Sequence, residues 1–175
     1  DDPFVLSSLA KTEFDAGNDE AAASAARAAL AIDGSNASAL MTLGKSLFRV
    51  AAQKSGQADY AEAMEPFEKL AELEPDNPLP LIYRFRAYVA RGVEPSAAAK
   101  ADLLRAGELA PYDANLWLVI GLLHIHEGQI ADARAALTPL AGNPHGGSKS
   151  AQMRDLLTML QGRNEGEAFP LLGFL

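Results

Sequence analysis

From residue 3 onward, apolar side chains recur every three or four positions. Leu40, Leu43 and Leu47 form one such set, and Ala63, Phe67 and Leu70 another. That spacing places each set on one face of an α-helix and predicts amphipathic helices in succession. The runs are cut at intervals by residues that end helices. Gly17, Gly92 and Gly128 stand where a left-handed cap closes a first helix. LAIDGSN with Gly34, LAELEPDN with Pro75, GELAPYD with Pro111 and LAGNP with Pro144 then close a second one. The intervals between these four stops are 41, 36 and 33 residues. The chain therefore reads as four helix pairs over about 3–34, 37–75, 78–111 and 114–144. One pair cannot bury its apolar face alone, so the pairs must stack.

A period near 34 residues, with these residues at these places, resembles the tetratricopeptide repeat family. The fourth segment carries the pattern most fully. It has Trp117, Ile120, Gly121 and His124 in its first helix, Gly128 at the turn, and Ala133, Leu137 and Leu140 in its second. The second segment matches at Leu40, Leu43, Gly44, Leu47, Tyr60, Ala63, Phe67, Leu70 and Pro75. The first fits at Leu6, Leu9, Ala10, Gly17, Ala22, Ala26 and Ala29, with Glu13 at an aromatic position. The third fits at Tyr88, Gly92, Ala99, Leu103, Ala106 and Pro111, but has Arg84 and Phe85 where Leu and Gly are usual. The resemblance covers about residues 3 to 144. It implies an all-α fold, a right-handed tetratricopeptide-like α-solenoid of about four antiparallel helix pairs plus a closing helix.

Two lengthenings interrupt the period. AAQKSGQ at 51–57 predicts a prolonged first helix followed by a short loop around Ser55-Gly56, and GVEPS at 92–96 predicts a smaller insertion in the third pair. Past the repeats, Met153, Leu156, Leu157 and Leu160 share a face and predict a closing helix over 148–162. The repeat domain is thus expected over 1–162 and an apolar tail over 163–175. The polar QGRNEGE leads into EAFPLLGFL, in which Pro170 and Gly173 argue against helix. That tail docks on an apolar groove, its own or a neighbour's, or packs against the closing helix, or is simply disordered.

Composition narrows function mainly by exclusion. Hydrophobic residues are 49% and aromatics 7%, with Ala dominant, which suits closely packed helices better than sheets. The net charge of −8 argues against nucleic acid and against an anionic membrane surface. Absence of cysteine removes thiolate chemistry and disulfides while leaving the compartment open, cytoplasm or periplasm. No apolar run approaches the roughly 18 residues of a spanning helix. The sequence begins Asp1-Asp2-Pro3, without Met, which reads as a processed product or a piece of something longer. The dense use of Ala and Gly has a bacterial character.

WLVIGLLHIHEG, residues 117 to 128, is the one stretch with the look of a metal site. His124 and His126 are two apart and leave a helix on different sides, so they cannot share an ion. His124 falls at the family's inward aromatic position and reads as a packed imidazole. His126 is expected on the inner surface, and His145 lies in a loop. No GxSxG elbow and no Walker loop is present. The reading is non-catalytic, without metal or cofactor.

The family likeness implies a concave groove lined by the first helix of each pair. The positions carried over are Lys11 and Phe14; Met41, Lys45, Phe48 and Arg49; Ile82 and Arg86; and Asn115, Leu118, Leu122 and His126. Titratable members of this lining are mostly basic in an acidic chain, which would attract an acidic segment. The apolar members would anchor it. The family's chaperone-tail clamp needs a Lys and Asn set where Ser8, Thr42, Tyr83 and Val119 stand, so that ligand is disfavoured. The expected partner is a protein or peptide, acidic and apolar. An accessory module of a longer enzyme and a self-associating module stand as alternatives.

Overall fold

The computed structural model describes residues 2–54 and 60–167. Among them are nine helices and no strand. They are α1 (Pro3–Asp15), α2 (Asp19–Ile32), α3 (Ala37–Gln53), α4 (Ala61–Leu73), α5 (Pro78–Ala90), α6 (Ala97–Leu109), α7 (Ala114–His126), α8 (Ile130–Ala141) and α9 (Gly147–Met159). The predicted loop at Ser55-Gly56 and the tail beyond Glu167 lie outside the described residues. The chain divides into two compact units, Asp1–Asp102 and Leu103–Leu175.

Local chemistry repeats with the period. The first helix of every pair starts on an Asx cap: Asp2 accepts from the Phe4 amide, Asn36 from Ala39, Asn77 from Leu79, and Asp113 from Asn115 and Leu116. Each cap satisfies amides that the helix itself leaves unpaired. Pro3 and Pro78 occupy the first turn, where no amide is needed. At the other end, Gly17, Gly92 and Gly128 have φ of +87°, +64° and +72°. The amide after each glycine reaches back five residues, Asn18 to Glu13, Val93 to Tyr88 and Gln129 to His124, closing a Schellman turn. α3 has no such glycine and continues to Gln53, for 17 residues against 13 in α1.

In the first unit the core changes character along the chain. α1, α2 and α3 meet through alanines, with Ala10, Ala23, Ala26, Ala29 and Ala39 buried together. Small side chains here bring the helix axes close. Farther on the packing is aromatic. The Phe48 ring lies 4.7 Å from Tyr60 and 5.1 Å from Tyr83, and Tyr83 stacks on Phe67 at 4.4 Å. Phe67 packs so tightly on α3 that a Cβ at Gly44 would lie 2.8 Å from its ring.

The second unit repeats that contact. A Cβ at Gly121 would lie 2.5 Å from Leu137 of α8. A third close approach, at Gly107 against Ile120, was not signalled by the repeat pattern. α9 closes on α8: Met153 is buried, the Ser150 hydroxyl donates to the carbonyls of Leu140 and Asn143, and Arg154 donates to that of Ala141. The polar stretch after it is no mere linker. The Glu165 carboxylate accepts from the Ile130 and Ala131 amides at 3.0 and 2.6 Å, capping α8, and the Gly166 amide bonds the Gly128 carbonyl. Arg134 also donates to the Leu160 carbonyl. The N-cap residue of α8, Gln129, makes no side-chain cap bond, so a carboxylate 35 residues beyond Ile130 supplies it.

Two residues on α3 should separate close packing from polar burial. Gly44→Ala is expected to lower unfolding free energy by about 1–3 kcal/mol, because the Phe67 ring must move. Ser46 is wholly buried with a hydroxyl that has no partner among the described residues. Ser46→Ala should therefore leave stability unchanged or raise it by up to about 1 kcal/mol. Urea unfolding of the two variants checks both, and equal losses would contradict the assignment.

Candidate functional site

The face expected to bind a partner contains, in the first unit, residues of α1, α3 and α5. The sequence-predicted residues on it are of three kinds. Phe48 is buried, with Tyr60 and Tyr83 around it, and belongs to the core. Phe14, Met41 and Ile82 are half-buried, offering apolar edges without standing free. The cations differ most from one another.

Arg49 is committed to the fold. Its Nε donates to Asp19 at 2.6 Å, its Nη2 donates to the Phe14 carbonyl at 2.7 Å, and its guanidinium lies 3.7 Å from the Phe14 ring centre. Asp19 is 6% exposed, so Arg49 neutralises a buried carboxylate while tying α3 to α1 and α2. Asp19 sits 30 residues away, and no helical spacing connects the two. Lys11 is exposed and paired with Asp15 at 2.6 Å one turn on. Such a surface pair contributes little.

Lys45 and Arg86 have no carboxylate within ion-pair distance among the described residues. Lys45 is half-buried. Burial pushes its pKa below the ordinary lysine value, the Lys11 charge adds to this, and Asp15 opposes it. Arg86 is exposed, its guanidinium 5.5 Å from the Phe48 ring and 5.0 Å from the Tyr83 ring. Those rings hold it by cation–π attraction and leave its donors available. The face thus carries two cations that make no ion pair among the described residues, with Asp15 acting on Lys45 only from a longer distance.

In the second unit the remaining predicted residues lie on α7. Asn115 is exposed and accepts from Lys149 at 3.1 Å. Leu118 and His126 are half-buried, and Leu122 is buried. His124 is half-buried with Nδ1 2.5 Å from Gln129 Oε1. No three His, Asp or Glu residues among those described come together as a metal site. None of the described helices is long and apolar enough to cross a membrane.

Comparison with solved structures places the fold. A crystal structure of MamA protein matches with a TM-score of 0.61, over 90% of this chain and 85% of that one, at 17% identity. The chain has the all-α, tetratricopeptide-like helical-repeat fold of that structure. No protein-family profile matches the sequence, and no curated protein compared with it matches. At 17% identity the likeness speaks for the fold alone.

The three cations give separable predictions. Arg49→Met should cost about 2–3 kcal/mol, below a fully buried pair because the arginine side chain is 39% exposed. Arg86→Met should cost less than about 1 kcal/mol, the worth of an exposed cation–π contact. Chemical unfolding distinguishes them.

Lys45 predicts a pH trend. Its folded pKa lies below 10.5, so the unfolded chain holds the proton to higher pH and stability rises with pH across that window. The melting-temperature advantage of Lys45→Met over the natural chain should shrink as pH rises from neutrality towards 10.5. An advantage that stays constant, or grows, contradicts the burial of a charged amine.

Proposed function

We propose that this chain is a non-catalytic scaffold for protein–protein interaction, and that the α1, α3 and α5 face of its first unit receives an acidic peptide segment with apolar anchors. One observation carries the reading. In a chain of net charge −8, Lys45 and Arg86 stand on that face without an acidic partner among the described residues. Keeping a cation half-buried beside another cation opposes stability, and an incoming carboxylate relieves that cost. Arg86, pre-oriented on two rings, offers planar donors to the same ligand. Lys11 lies near enough to Lys45 to add to the field, and Phe14, Met41 and Ile82 supply apolar edges for anchor side chains. Phe48 and Arg49 act beneath the surface, the first as the platform for Arg86 and the second as the brace of α1 against α3. On α7, Asn115, Leu118 and His126 are assigned to the partner-binding set of the second unit, while Leu122, also expected there, is buried. The helical-repeat fold shared with MamA protein supports a scaffold role in general terms.

Selection from a random peptide display library tests the assignment. The natural chain should enrich peptides in which Asp or Glu flanks apolar residues. Their affinity should fall several-fold between low and physiological salt as screening sets in. Lys45→Glu with Arg86→Glu should weaken the selected peptides at least about tenfold. Peptides that bind the double variant as well as the natural chain would remove the function from this face.

A further inference from the structure

Two departures of the third helix pair from the others meet at one place. Phe85 is the eighth residue of α5, where α3 has Gly44 and α7 has Gly121. Phe85 is buried, and a benzyl group there takes up room that the glycines leave to a packed side chain of the next helix. The link from α5 to α6 spans residues 91–96, longer than 16–18 in the first pair and 127–129 in the fourth though not than 54–60 in the second. Beside these two features lies a pocket of about 390 Å3 between α4, α5 and the first turns of α6. A smaller one of about 180 Å3 shares Glu68 and Arg84 with it, so a furrow follows α4 and α5 along their length.

The larger pocket has the chemistry of a ligand site. Its floor is apolar, with Met64, Ala87 and Ala99. Arg84 is already held by Asp102 at 3.2 Å. Arg91 is exposed at the end of α5, with no carboxylate in ion-pair reach among the described residues. Tyr60 is 4% exposed and packs on Phe48, yet its hydroxyl has no hydrogen-bond partner among the described residues. The hydroxyl is not walled off, since the Ser46 hydroxyl alone is a buried orphan among the described residues, so it can donate into the pocket. Tyr60 precedes the first turn of α4 and Arg91 follows the last turn of α5, so both lie at one end of the furrow. A single unpaired guanidinium with Glu68 nearby favours a monoanion over a dianion. The volume lies at the low end for small-molecule sites.

We propose that this pocket binds a small free carboxylic acid with a branched or aromatic body. Its carboxylate meets Arg91 and the Tyr60 hydroxyl, and its body rests on Met64, Ala87 and Ala99. The site is separate from the peptide face, which uses Lys45 and Arg86. Phenylacetate and 3-methylbutanoate, titrated into the full chain and followed by amide NMR, test it. Saturable shifts should be confined to α4, α5 and the start of α6, and phenylacetamide should cause none. Arg91→Gln should weaken binding at least about tenfold and Tyr60→Phe about threefold or more, with unchanged melting temperatures. Arg105→Gln, at an exposed arginine paired with Glu108, should bind as the natural chain does. The proposal is overturned if neither acid gives saturable shifts, or if Arg91→Gln binds like the natural chain. Binding seen only when the carboxylate ends a peptide would overturn it equally.

Discussion

The distance between paired helices is set where a side chain of the second helix presses on the backbone of the first. Phe67 meets Gly44 in this way, and Leu137 meets Gly121. Neither contact leaves room for a methyl group, so each of these first helices keeps a hydrogen at its eighth position. Much else is downstream of that spacing. With the second helix seated so close, the Phe67 ring lies flat against Tyr83, and Tyr83 with Phe48 makes the platform that Arg86 covers. A cation on the surface is thus positioned by a glycine in the interior.

In the third pair the constraint is released. With Phe85 in place of glycine, that volume is filled from α5 itself. A pocket lies between α4, α5 and α6 in the same pair, where the Arg84–Asp102 ion pair links α5 to α6. Departure from a repeat pattern is therefore informative in proportion to how much space the replaced residue controlled.

The helix pairs, the glycines that close their first helices and the repeat glycines Gly44 and Gly121 were legible because each depends on residues close in sequence. A Schellman glycine and an apolar face both lie within one or two turns of chain. What the sequence left hidden depends on distant residues. Arg49 reads as a surface cation by periodicity, and its service to the buried Asp19 needs the fold. Glu165 reads as part of a polar linker, yet it caps a helix whose own first residues cannot. Phe48 reads as a groove residue and is core, because prolongation of α3 brings Tyr60 and Tyr83 around it. The departures at Arg84 and Phe85 were visible, but their consequence was a volume, and volume is not a property of one helix.

Charge in this molecule is sorted by what each cation already holds. Arg49 and Arg84 have carboxylates, and Lys11 has Asp15. Arg86 and Arg91 have none among the described residues, and they lie on or directly after the helix that carries Arg84. Successive helical residues turn by about 100°, so Arg84 and Arg86 point about 160° apart. Arg91 follows Arg84 by seven residues and returns to nearly the same direction. One helix thereby presents an unpaired guanidinium on each of two opposite faces, one framed by aromatic rings and the other by a furrow. The two sides are not isolated from each other, because Tyr60 of the furrow packs on Phe48, the ring beneath Arg86.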